Sequence, residues 1–146
     1  MGRGILPKVR PMFSFCWKSR YSVGVRKMDQ QHQAIMDGLN ELHQEMMKGN
    51  RNDAVTPLIN NLVSLARKHF AAEERLMASA GFPGLADHRA KHREVSRKVQ
   101  EFIARHEKGD MAAYSQFMYF LRDWFTKHME NDDREYAPWL AEHGIR

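Results

Sequence analysis

The sequence predicts an all-α protein, folded as an antiparallel up-down-up-down four-helix bundle with an N-terminal arm. From Met28 onward, apolar residues recur at steps of three and four, which is the period of an amphipathic helix and not of a strand. Four such stretches are separated by short connections, and short connections make consecutive helices antiparallel neighbours. The length of 146 residues suits one core of ordinary size, so a single bundle is expected.

Each predicted helix has an apolar stripe followed by a stop signal. The first helix is expected to end at Gly49, the second near Ala80 before the Gly- and Pro-containing residues 81–84, and the third at Gly109. The fourth is expected to run toward Gly144, with Pro138 as an alternative earlier end. The stripes are Met28, His32, Ile35, Leu39, Leu42 and Met46; Leu58, Leu62, Leu65, His69, Glu73 and Leu76; Leu85, His88, His92, Val95, Val99, Phe102 and His106; and Phe117, Leu121, Trp124 and His128.

The net charge of +5 is concentrated at the N-terminus. The first 28 residues contain seven Lys or Arg and no acid, which leaves the remainder at −2. Residues 1–11 are predicted to form a flexible basic tail, and residues 12–146 the bundle domain, with the aromatic-rich stretch before Met28 as the arm. No nucleic-acid partner is expected, because no helix displays this charge beside aromatic groups.

Other bulk features restrict the class of protein. No stretch approaches the roughly 18 apolar residues that cross a bilayer, and no cleavable signal sequence is evident, so no membrane insertion is expected. Cys16 is the only cysteine, and an internal disulfide is therefore impossible. These features predict a cytoplasmic protein stabilised by packing or by a metal.

Every predicted helix carries polar side chains on its inward stripe, where Leu, Ile or Val would be usual. A buried imidazole or carboxylate without a partner costs a few kcal/mol, about 2–7 by transfer measurements, so several together require a hydrogen-bond network or a metal. In an antiparallel bundle the start of the first and third helices and the end of the second and fourth lie at the same level. The polar residues at that level are His32, His69, Glu73, His88, His92 and His128.

These residue types indicate a site for two metal ions. The pairs His69 with Glu73 and His88 with His92 are four apart, so each pair shares a helix face. Imidazole and carboxylate suit iron, zinc, copper or manganese. Five histidines with two carboxylates, Glu73 and an acid that follows His128, are too many for one tetrahedral zinc. A ferritin-like di-iron site is disfavoured because no Glu-x-x-His motif occurs.

The remaining assignments from residue spacing are less specific. Asp132 lies four residues after His128 and shares its face on a regular helix, whereas Asp133 is rotated by about 140°. Helix geometry therefore favours Asp132 as the second carboxylate. His43, His106 and His143 belong to no spaced pair and are interpreted as surface or bundle-end residues.

Several motifs of the chain resemble those of the hemerythrin family, specifically its single-domain bacterial members, from residue 17 to residue 140. The first helix begins with SVGV at 22–25, MDQQH at 28–32 and NEL at 40–42, with Met28 where Ile is usual. The second carries HFAAEE at 69–74, and GFP at 81–83 precedes the pair His88 and His92 on the third helix. The fourth carries HMENDD at 128–133, with Tyr136 eight residues after the histidine.

This resemblance implies a ligand set and a function. His88, His92 and His128 would hold one iron, and His32 and His69 the other. Glu73 and Asp133 would bridge both ions together with a hydroxide or oxo group, so the resemblance favours Asp133 over Asp132. The implied function is reversible binding of molecular oxygen for transport, storage or delivery, without catalysis. The alternatives are an oxygen or redox sensor that acts through a separate protein partner, and a di-iron enzyme for peroxide, nitric oxide or iron-repair chemistry.

Overall fold

The chain is helical over almost all of residues 15–49, 52–110 and 112–146, the parts described by this computed structural model. The helices are α1 (Arg26–Met47), α2 (Asn52–Ser79), α3 (Leu85–Glu107), α4 (Ala112–Lys127) and α5 (Asp133–Glu142). A π-helical turn, His128–Asp132, joins α4 to α5 without a break, so the two form the fourth rod of the bundle. The predicted all-α bundle is confirmed, while the predicted basic tail of residues 1–11 lies outside the described residues.

The stop signals act as the sequence predicts. Gly81 and Gly109 follow α2 and α3 with φ of 65° and 84°, a left-handed conformation that glycine adopts without strain. The fourth rod runs toward Gly144 as expected, since α5 continues through Pro138 to Glu142, and the alternative end at Pro138 does not occur.

Two apolar clusters fill the interior and leave a polar level between them. One cluster includes Ile35 and Phe125, and the other includes Met28 and Tyr136. Along α1, His32 falls between Met28 of the second cluster and Ile35 of the first. The polar side chains are therefore enclosed by apolar packing at both ends. None of the helices in the described ranges has the length and apolar character needed to cross a membrane.

The segment before α1 packs across the bundle and is fixed at two points. The backbone N–H of Phe15 donates to Asn40 Oδ1 at 2.7 Å, and Asn40 Nδ2 donates back to the Phe15 carbonyl at 2.8 Å. Near the start of α1, the Asp29 carboxylate accepts from the Ser22 hydroxyl at 2.6 Å and from the Val23 N–H at 2.9 Å. The arm is thus held by side chains of α1 that pair with its backbone.

Asn40→Ala should destabilise the fold without changing the metal content. The substitution removes both hydrogen bonds to Phe15 at a partly buried position, for which we expect a loss of about 1–3 kcal/mol in the free energy of unfolding. Urea denaturation measures this loss. Asn61→Ala, at an exposed helical position, is the matched control and should change stability by no more than about 0.5 kcal/mol. Equal effects of the two substitutions would contradict this role of Asn40.

Candidate metal centre

Seven polar side chains from all four rods meet at one level of the bundle. None of them is more than 3% exposed. Because ionisable groups are rarely buried without a partner, their convergence indicates that they form one functional site. They are the seven residues for which sequence and resemblance suggested a ligand role, namely His32, His69, Glu73, His88, His92, His128 and Asp133.

The seven side chains form two overlapping groups that could each hold a metal ion. In each group the ligand atoms lie within 4.8 Å of one another. We call the first group the His88 quartet: Glu73, His88, His92 and His128. The second is the His32 quartet: His32, His69, Glu73 and Asp133.

Glu73 belongs to both quartets and turns one oxygen toward each. Its Oε2 lies 3.2 Å from His69 Nε2 and 3.9 Å from His32 Nε2. The other oxygen, Oε1, hydrogen-bonds to His88 Nε2 and lies 3.1 Å from His92 Nε2. A carboxylate in this position can bridge two cations.

Asp133 divides its oxygens in the same way. Its Oδ2 lies 3.0 Å from His32 Nε2, while Oδ1 lies 2.9 Å from His128 Nε2 and 3.2 Å from His88 Nε2. Asp133 therefore also spans the two quartets.

The π-helical turn explains why Asp133, and not Asp132, reaches the cluster. In this turn the Asp133 N–H bonds to the His128 carbonyl, an i to i+5 bond in place of the usual i to i+4 bond. The extra residue brings the side chain five positions after His128 onto the inner face. The expectation from regular helix geometry, which favoured Asp132, does not match this placement.

Several nitrogen and oxygen atoms of the cluster that could bind a metal ion have no hydrogen-bond partner, although other polar atoms are close. His32 Nε2, His69 Nε2 and both oxygens of Asp133 are buried and unpaired. His32 Nε2 and Asp133 Oδ2 are only 3.0 Å apart, yet they do not form a hydrogen bond. Unpaired imidazole nitrogens and carboxylate oxygens that converge on common points fit a pair of divalent cations.

Comparison with known families agrees with this geometry. The profile of the family described as "Hemerythrin HHE cation binding domain" matches residues 23–140. The chain belongs to the hemerythrin family. It is 32% identical over 127 residues to a bacteriohemerythrin of Stenotrophomonas maltophilia, with 87% of this chain and 82% of the relative covered. A bacteriohemerythrin of Clostridium acetobutylicum is 30% identical, with coverages of 84% and 98%.

A solved hemerythrin structure has the same fold. The crystal structure of a wild-type hemerythrin superposes with a TM-score of 0.80 at 26% identity, covering 87% of this chain and 98% of the other. The four-helix bundle predicted from the apolar stripes is therefore the hemerythrin bundle.

Protonation of this hemerythrin cluster is strongly perturbed. Burial alone would lower the pKa of His88, but the Asp133 and Glu73 carboxylates raise it to about 9. Burial would likewise lower the pKa of His128, and the charge of Asp133 with a hydrogen bond to Asp132 raises it well above its usual value. The pKa of Glu73 is lowered despite its burial, because the surrounding imidazoles, His128 foremost, stabilise its charged form.

Metal binding to the metal-free chain should therefore release protons. A histidine binds a metal ion as the neutral imidazole, whereas His88 and His128 hold an additional proton near neutral pH in the metal-free cluster. The carboxylates are already ionised and contribute none. We expect Zn²⁺ addition near pH 7 to acidify a lightly buffered solution, and to do so less above the His88 pKa of about 9. An indicator dye measures the protons released. Equal release near pH 7 and above the His88 pKa of about 9 would contradict this protonation scheme.

Aromatic side chains form the wall of the cluster toward the centre of the bundle. Phe70 stacks on His92 with ring centroids 3.9 Å apart, and Trp124 stacks on His128 at 4.4 Å. Phe125 meets the His32 ring edge-on at 5.6 Å. The Trp124 contact follows from the sequence, since Trp124 is four residues before His128 on the same face.

Other contacts of the site were not predicted from sequence. Gln31 Oε1 lies 2.8 Å from His69 Nδ1, and the Tyr136 hydroxyl donates to Glu73 Oε2 at 2.8 Å. The family resemblance marked Tyr136 as the aromatic residue eight positions after His128 but not its contact with Glu73, and Gln31 precedes a ligand and carried no distinguishing signal. His106, interpreted as a bundle-end residue, hydrogen-bonds to Tyr114 and lies outside both quartets.

Proposed function

We propose that this hemerythrin domain binds molecular oxygen reversibly at a non-haem di-iron centre. His88, His92 and His128 would hold one iron, and His32 with His69 the other. Glu73 and Asp133 would bridge the two. The observation that carries the proposal is the direction of the carboxylate oxygens. Glu73 and Asp133 each face His32 or His69 with one oxygen and imidazoles of the His88 quartet with the other.

The two metal positions are unequal in protein donors. Three imidazoles face one position and two face the other, while Glu73 and Asp133 each direct oxygens at both. The position beside His32 and His69 is therefore the one where a ligand from outside the protein has room to bind. A pair of ferrous ions supplies the two electrons that reversible oxygen binding requires.

The surroundings of that position favour a small neutral ligand. An apolar cavity of about 110 Å³ lies beside the cluster and is bounded in part by Ile35, Leu62 and Phe125. The residues lining it include no Lys, Asp or Glu, and its one charged member is Arg67. This mainly apolar lining favours a small neutral molecule such as molecular oxygen over an ion.

The ionisable groups beside the proposed metal ions support oxygen binding without catalytic turnover. Turnover of oxygen or peroxide needs a proton donor beside the metals. The Tyr136 hydroxyl contacts Glu73, but burial and the nearby carboxylates Asp133 and Glu73 raise its pKa well above the usual value. Tyr136 therefore keeps its proton and serves to orient the Glu73 carboxylate.

An optical experiment tests this function. The iron-loaded chain, reduced without oxygen and then exposed to air, should develop a visible charge-transfer band that disappears when argon removes the oxygen. Several such cycles should restore most of the band. Irreversible oxidation in the first cycle, or sustained consumption of added hydrogen peroxide, would contradict the proposal and favour the enzyme alternative.

A further inference from the structure

One imidazole of each quartet is hydrogen-bonded at Nδ1, and the two acceptors differ in charge. His128 Nδ1 donates to Asp132 Oδ2 at 3.0 Å, whereas His69 Nδ1 donates to Gln31 Oε1 at 2.8 Å. One imidazole is therefore supported by a carboxylate and the other by a neutral amide. In both, the hydrogen bond at Nδ1 makes Nε2, which faces the cluster, the nitrogen available to bind a cation.

Asp132 is itself held by a residue of a different helix. The Lys91 ammonium of α3 donates to Asp132 Oδ1 at 2.7 Å. Both oxygens of Asp132 are thus occupied, one by Lys91 and the other by His128, and neither is directed at the metal site. The resulting series, Lys91 to Asp132 to His128, runs from a half-exposed surface cation to a buried candidate ligand.

The π-helical turn allows the two neighbouring acids to take different roles. It directs Asp133 into the cluster while Asp132, four residues after His128, remains beside the outer edge of the imidazole. Asp133 is fully buried, and Asp132 keeps a side-chain exposure of 23%. A regular helix would present only one of the two carboxylates to His128.

A carboxylate and an amide have different effects on an imidazole ligand. Each fixes the tautomer and the ring orientation, but a negative charge at Nδ1–H also increases the electron-donating strength of Nε2 toward a cation. Lys91 limits this effect by sharing the charge of Asp132. The His88 quartet contains the imidazole with the charged support, and the His32 quartet contains the one with the neutral support.

We propose that Asp132 is a positioning residue that strengthens His128 as a ligand, so that the His88 quartet takes up the first metal ion and the His32 quartet the second. Gln31 leaves the second position weaker. This inference rests on the proposed two-metal function and adds an order of loading to it.

The test is a titration of the metal-free full chain with Co²⁺ under argon, followed by the visible absorption of the bound ion. The wild-type chain should bind two Co²⁺ in separable steps. Asp132→Asn keeps the shape of the side chain but removes its charge, and should weaken the first step by about 10- to 100-fold. Its first-step spectrum should also shift. Gln31→Glu should instead tighten the second step and bring the two steps closer together.

Three further measurements separate positioning from mere structural support. Asp132→Glu should recover part of the lost affinity, because the charge is restored. Asp123→Asn removes an equal charge from an exposed position on α4 and should leave both steps unchanged. Thermal unfolding of the metal-free variants reports any general loss of stability.

Different results would overturn the proposed function and the order of metal loading. A wild-type chain that binds fewer than two Co²⁺ would overturn the proposed function. Two bound Co²⁺, with both steps of Asp132→Asn within twofold of the wild type, would overturn the loading order alone. The loading order is also overturned if Asp132→Asn lowers only the unfolding temperature of the metal-free chain.

Discussion

Glu73→Ala should abolish high-affinity binding of both metal ions. Glu73 provides one oxygen to each quartet, so its removal takes a donor from both positions and leaves Asp133 as the one remaining carboxylate that balances the cations. It also leaves the buried Tyr136 hydroxyl without its acceptor, at a cost of about 1–3 kcal/mol in stability. Iron per chain, measured by elemental analysis after desalting, should fall from two to near zero.

Glu101→Ala is the matched control for this substitution. Glu101 is an exposed acid on α3 that pairs with Arg97 at the surface, far along the helix from His88 and His92. An exposed ion pair contributes little, so the variant should retain both iron ions and nearly all of its stability. Retention of two iron ions by Glu73→Ala would show that Glu73 is not shared between the metals.

Asp133→Asn should have the second largest effect and should separate the two neighbouring acids. Asp133 is completely buried and places Oδ1 and Oδ2 against different quartets, so loss of its charge should remove at least one iron ion per chain. Asp132→Asn should still bind two ions at saturating iron, because Asp132 contacts only the Nδ1 side of His128. Elemental analysis of both variants, loaded side by side, measures the difference.

The opposite outcome would contradict the geometry of the π-helical turn. If Asp132→Asn lost an iron ion and Asp133→Asn retained both, the carboxylate four residues after His128 would be the ligand. The fourth rod would then have to be a regular helix at this point.

The sequence predicted the level of the site but not the local form of the fourth rod. His69 with Glu73 and His88 with His92 lie on regular helices, where a spacing of four residues reliably places side chains on one face. The same rule applied to His128 selects Asp132, because it assumes a constant rotation per residue. The turn at His128–Asp132 has a different rotation, and only the family resemblance indicated Asp133.

Features that depend on packing between helices could not be derived from periodicity. The apolar cavity exists because side chains of several helices leave space between them, and residue spacing along one helix does not report this space. The support of His69 by Gln31 joins α1 to α2, and that of Asp132 by Lys91 joins the π-helical turn to α3. Each of these contacts requires the relative rotation of two helices, which the apolar stripes fix only approximately.

The most direct test of the two-metal cage is an equilibrium titration of the metal-free chain with Fe²⁺ under argon, with bound iron measured after dialysis. Two quartets that share Glu73 predict saturation at two iron ions per chain. Saturation at one ion, or binding that never saturates, would contradict a bridged pair of metals in this bundle.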